Sequence, residues 1–185
     1  LLHIATHGFF YPNPKLQKQQ FAERIEEGDV VFRGGRGTRG FGVLGFVMNP
    51  NPLMRSGLTF AGANQVWTDH YVSGDKDGVL TAEEVVSVDM RRAALVVLSA
   101  CETGLGEIKG SEGVYGLQRA FKMAGVKYIV MSLWQVPDSE TVEFMETFYS
   151  KLLKYNSIRD SFAETQNEMR QKYDPYYWAA FVLVE

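Results

Sequence analysis

Ala93-Ala94-Leu95-Val96-Val97-Leu98-Ser99-Ala100 is an apolar run that ends at Cys101. It is rich in Val and Leu and too short for a buried helix. It reads as a strand covered on both faces, which is the habit of a parallel sheet. Downstream, Gly110-Ser111-Glu112-Gly113 breaks the chain, and residues 114–123 have helical spacing. Residues 126–134, VKYIVMSLW, form a second run of the same kind. Asp138-Ser139 then caps a longer amphipathic helix with Val142, Met145, Phe148, Tyr149 and Leu152 on one face. Residues 158–171 read as another helix, with Ile158, Phe162 and Met169 inward. Pro175 stops it, and residues 178–184 read as a final strand.

Upstream of the run, Thr81 with Glu84 three residues later is a capping box, which predicts a helix over residues 82–88. Residues 69–79 are turn-rich, and residues 58–63 suit strand or helix equally. Residues 11–57 form a long irregular region, with a glycine-rich stretch at 34–45 and room for a short helix over 15–27. Residues 1–6 read as a short buried strand running into Thr6-His7-Gly8. Buried strands alternating with helices predict an α/β fold with a mostly parallel sheet flanked by helices.

The 185 residues, 45% hydrophobic and 13% aromatic, suit one domain with a core of its own. The net charge of −3 gives no reason to expect nucleic acid or membrane as a direct partner. No apolar run approaches the roughly 20 residues of a membrane span. The single cysteine excludes an internal disulfide and favours a reducing, cytoplasmic setting. Leu1 opens in the middle of an apolar stretch, as expected of the C-terminal part of something longer.

In open α/β sheets, sites form at the C-terminal ends of the strands. His7 follows the first strand and Cys101 follows the AALVVLSA strand, so neighbouring strands would bring imidazole and thiol to one edge. A thiolate is a strong nucleophile, and an imidazole can take its proton and return it to a leaving amine. The N–H groups of Gly8 and Cys101 are candidate oxyanion donors. A lone Cys-His pair is a weak signal, because free cysteine is usually a small core residue.

The wording around the pair is more specific. His3-Ile4-Ala5-Thr6-His7-Gly8 and Leu98-Ser99-Ala100-Cys101-Glu102-Thr103-Gly104 resemble the CHAT family, caspase-like domains that commonly follow tetratricopeptide repeats. Agreement extends to Arg55-Ser56-Gly57-Leu58, Ala61-Gly62-Ala63-Asn64 and the stretch from Asp77 to Glu84. It continues through Glu112-Gly113-Val114-Tyr115-Gly116-Leu117, Ser132-Leu133-Trp134 and Trp178-Ala179-Ala180-Phe181. The resemblance implies a caspase-like sheet, His7 as base and Cys101 as nucleophile, with His3 structural. It also implies further strands before the histidine strand, so residues 1–185 are expected to be the C-terminal part of one peptidase domain. A protein or peptide substrate and control by an upstream tetratricopeptide-type domain or partner complete the expectation. The setting expected is a larger intracellular, bacterial regulatory protein. The rival reading is a non-catalytic interaction module of the same fold.

Caspases carry glutamine two residues before the nucleophile, where this chain has Ser99, so a preference for aspartate has no support. Separases resemble this chain in placing Trp at the end of the next strand and Asp four residues later, here Trp134 and Asp138. That resemblance implies that Asp138 pairs with a P1 Arg or Lys. Asp138 reads equally well as a helix cap. No cofactor or metal is expected. Ser73 to Glu84 has the outline of a calcium loop, but Ser73 stands where the first Asp belongs. Arg33-Gly34-Gly35-Arg36-Gly37 reads as a flexible loop rather than an RNA-binding segment. Arg33, Arg36 and Arg39 are candidate self-cleavage points.

Overall fold

The computed structural model describes residues 1–11, 46, 49–63, 77–99 and 112–185. Cys101, the expected helix over 15–27, the glycine-rich stretch and most of the turn-rich segment lie outside the described residues.

The AALVVLSA run yields β5 (Leu95–Leu98), with all four residues buried. It lies between β1 (Leu2–Ile4) and β6 (Tyr128–Ser132), parallel to both, with Ile4 opposite Leu98 and Leu98 opposite Met131. β7 (Phe181–Val184) closes the order β1-β5-β6-β7 as an antiparallel edge. The mostly parallel, helix-flanked α/β sheet is therefore present.

Side chains alternate across a strand, so β5 serves two cores. Val96 and Leu98 pack with Ile129 and Met131 against α1 (Ala82–Ser87) and α2 (Glu112–Met123), through Val85, Leu117 and Phe121. Leu95 and Val97 pack with Val130 against α3 (Asp138–Tyr155) and α4 (Ile158–Met169), through Phe144, Phe148 and Phe162. Phe144 stacks on Phe181 with centroids 4.1 Å apart, which ties α3 to β7.

A second sheet, β2-β3-β4, is antiparallel and built from β2 (His7–Phe10), β3 (Ser56–Thr59) and β4 (Val79–Thr81). The Phe9 ring lies over Gly57, where a Cβ would come within 2.8 Å of the ring and 2.5 Å of the Leu80 carbonyl. Gly78, at φ +73°, turns the chain into β4 where a Cβ would meet the Ala63 nitrogen at 2.4 Å. At the end of β4 the capping box forms as read: Thr81 Oγ1 accepts from the Glu84 N–H, and Glu84 Oε2 accepts from the Thr81 N–H at 2.7 Å.

Several local expectations are corrected. Residues 1–6 are not one buried strand: β1 ends at Ile4, and His7 opens β2 in the other sheet. The Thr6 hydroxyl bonds the Thr59 carbonyl and draws the chain there. β1 is exposed along much of its length because it stands at the sheet edge. Val142 is 54% exposed, and Phe144 takes the inward position on α3. Pro175 does not stop α4, which ends at Met169; it opens the short α5 (Pro175–Trp178). Among the described residues no helix is long and apolar enough to cross a membrane.

Candidate functional site

The C-terminal ends of β1, β5 and β6 lie side by side at one edge of the parallel sheet. The Ser99 N–H donates to the Ile4 carbonyl at 3.1 Å, so β1 and β5 end at one level. The chain leaving β1 enters β2 at His7. The chain leaving β5 reaches Cys101 two residues after Ser99. β6 ends beside them and continues into Leu133 and Trp134.

His7 is exposed and sits opposite Thr59. Its carbonyl accepts from Thr59 Oγ1 at 3.1 Å, while the Thr6 hydroxyl bonds the Thr59 carbonyl. One threonine thus fixes the backbone on both sides of the imidazole. Gly8 is buried on β2, an edge strand of its sheet. The Tyr11 N–H donates inward to the Arg55 carbonyl, which makes Tyr11 and Arg55 a hydrogen-bonded pair. By the alternation of an antiparallel ladder, His7 and Phe9 also bond inward. The Gly8 N–H therefore belongs to the row directed away from β3.

Trp134 donates its indole N–H to the Tyr176 carbonyl at 2.9 Å, and the Tyr176 hydroxyl donates to the Gln135 carbonyl at 2.9 Å. The two rings lie 6.4 Å apart. With Leu133 they form a partly exposed apolar surface beside the strand ends. Asp138 is exposed at the first helical position of α3. It is not the cap that the sequence allows: Pro137 holds that position, with no side-chain cap bond. The Asp138 carboxylate still favours the positive end of the helix dipole.

The structure adds a feature that sequence reading left out. The Tyr149 hydroxyl lies 2.9 Å from His3 Nδ1, and His3 Nε2 lies 3.0 Å from Ser99 Oγ. Desolvation lowers the His3 pKa below its ordinary value, and burial raises that of Tyr149. A histidine set four residues before His7 in an apolar strand is the only sequence signal for it. Among the described residues no three His, Cys, Asp or Glu side chains gather as a metal site. Glu84, the twelfth position of the calcium-loop outline, is engaged in the capping box.

Tetratricopeptide repeat protein 28 of Mus musculus is 32% identical over 110 residues, covering 57% of this chain and 4% of that protein. Its Homo sapiens counterpart is 30% identical over 109 residues, covering 57% of this chain and 4% of that protein. The chain thus matches a small part of these long relatives. The profile of the CHAT domain matches residues 1–185. The chain therefore belongs to the CHAT domain family, whose fold is caspase-like.

Proposed function

We propose that this domain is a cysteine endopeptidase working through His7 and Cys101, within a longer protein that regulates it. The observation that carries the reading is the Ser99–Ile4 hydrogen bond, which ends β1 and β5 at one level, the one strand just before His7 in sequence and the other just before Cys101. His7 takes the thiol proton, and the Cys101 thiolate attacks the scissile carbonyl carbon. The Gly8 and Cys101 N–H groups receive the developing oxyanion. The C–N bond breaks as His7 protonates the amine, leaving a thioester. Water, deprotonated by His7, then hydrolyses the thioester and restores the thiol.

The preferred P1 residue in this reading is Arg or Lys, held by Asp138 with Trp134 forming a neighbouring wall. Support comes from the exposure of Asp138 and its release from any capping role. Control by tetratricopeptide repeats is supported by the names of the two relatives. The edge position of β1 among the described strands supports further strands completing the sheet.

The test is cleavage of fluorogenic peptides by the full-length protein, with Cys101→Ala and His7→Ala beside it. Each substitution should abolish cleavage, since loss of a general base alone costs about 10²–10⁴-fold. Retention of more than about a tenth of the activity in either variant would show the pair to be misassigned. A wild-type protein that cleaves nothing and whose thiol reacts no faster than free cysteine would be an interaction module instead.

A further inference from the structure

The hydrogen-bonded chain Tyr149–His3–Ser99 takes no part in the chemistry assigned to His7 and Cys101. Its members come from three elements: Tyr149 from α3, His3 from β1, and Ser99 from the residue just past β5. Strand alternation explains the meeting. Ile4 packs on the α1–α2 side, so His3 faces the α3 side, where its ring lies 5.7 Å from the Tyr149 ring. Each hydroxyl can donate or accept, so either neutral tautomer of His3 completes the chain. Ser99 is tied to β1 twice, by its N–H to the Ile4 carbonyl and by its hydroxyl to His3.

We infer that His3 is a positioning residue: acting through Ser99, it holds the end of β5, and with it the backbone leading to Cys101, in place against the end of β1, from which the chain turns to His7. The consequence for catalysis rests on the peptidase reading; the positioning itself does not.

The two ring nitrogens allow the arms to be cut separately. A glutamine amide reaches roughly where Nε2 stands and an asparagine amide roughly where Nδ1 stands. His3→Gln therefore preserves the Ser99 arm, and His3→Asn preserves only the Tyr149 arm. The full chain would be compared as wild type, His3→Gln, His3→Asn, Ser99→Ala and the double variant His3→Asn/Ser99→Ala. Three quantities are read: Tm, hydrogen exchange of the Ser99 amide, and iodoacetamide alkylation of Cys101, the sole thiol. In His3→Asn and Ser99→Ala, exchange should quicken and alkylation slow by about three- to tenfold, the scale of one neutral hydrogen bond. His3→Gln should stay near wild type, and the double variant should be no worse than either single one.

Equal effects of Asn and Gln, or unchanged Ser99 exchange in every variant, would overturn the inference. If the wild-type thiol reacts no faster than free cysteine, the peptidase reading fails while Ser99 exchange still decides the positioning role. Should His3→Asn not fold, Ser99→Ala decides alone, and an amide at position 99 that exchanges as slowly as in wild type in that variant would overturn the inference.

Discussion

The Ser99 N–H bonds the Ile4 carbonyl at 3.1 Å, extending the parallel pairing of β5 with β1 one step past the Ile4–Leu98 pair. The bond sets the level at which both strands end. From that level one chain turns aside into β2 with His7 at its head, and the other runs on toward Cys101. A shift of register by one residue would move His3 to the opposite face and part it from Tyr149.

Specificity is tested at Asp138. Its carboxylate is exposed and serves no cap, so Asp138→Ala should leave the helix and the reactivity of the thiol intact. A charge-assisted pair is worth about 1.5–3 kcal/mol, so kcat/KM on Arg-P1 peptides should fall roughly ten- to a hundredfold. A P1 scan with otherwise identical peptides checks this. A preference for aspartate or for an apolar P1 would remove Asp138 from the pocket, and self-cleavage at Arg33, Arg36 or Arg39 with it.

Stability should depend on pH through His3. Its folded pKa lies below the ordinary value near 6.5, so the unfolded chain binds the proton more readily. The stability present above about pH 6.5 is lost as pH falls from there through the folded pKa. His3→Gln should flatten that part of the profile. Urea unfolding between pH 5 and 8 measures it, and an unchanged slope in the variant would assign the dependence elsewhere.

The core around α3 depends on Phe144. It is fully buried, stacks on Phe181 and meets the Phe162 ring edge-on. Phe144→Ala should destabilise the domain by about 3–5 kcal/mol. Denaturant unfolding reads the loss directly; a cost below about 1 kcal/mol would mean that α3 repacks onto β7.

Calcium should not support activity. Glu84 Oε2 already accepts from the Thr81 N–H and hydroxyl, and Asp77 Oδ1 accepts from the Val79 N–H at 2.9 Å. A peptidase assay in EDTA should match one in calcium. Activity that vanishes with chelator and returns with calcium would revive the loop as a site.

Thr81→Ala breaks the capping box and should cost about 0.5–2 kcal/mol of stability, as loss of a helix N-cap does. Thermal unfolding beside wild type would show it, and an unchanged Tm would mean that packing alone holds α1.

The sequence by itself determined the central strands and the helices that cover them. A run such as LVVL with no polar position can only lie between two apolar layers, and a capping box closes within four residues. Such features are local, so they are legible in local spacing. The proposal of His7 and Cys101 as a pair also came from the sequence, through the wording around both residues. Tertiary structure alone decided that His7 opens a second sheet, because the Thr6–Thr59 bond spans distant segments. It alone gave the helix cap to Pro137 instead of Asp138, and it alone joined His3 to Tyr149. Those two residues stand 146 positions apart, and only the packing of α3 on the sheet edge brings hydroxyl and imidazole within a hydrogen bond.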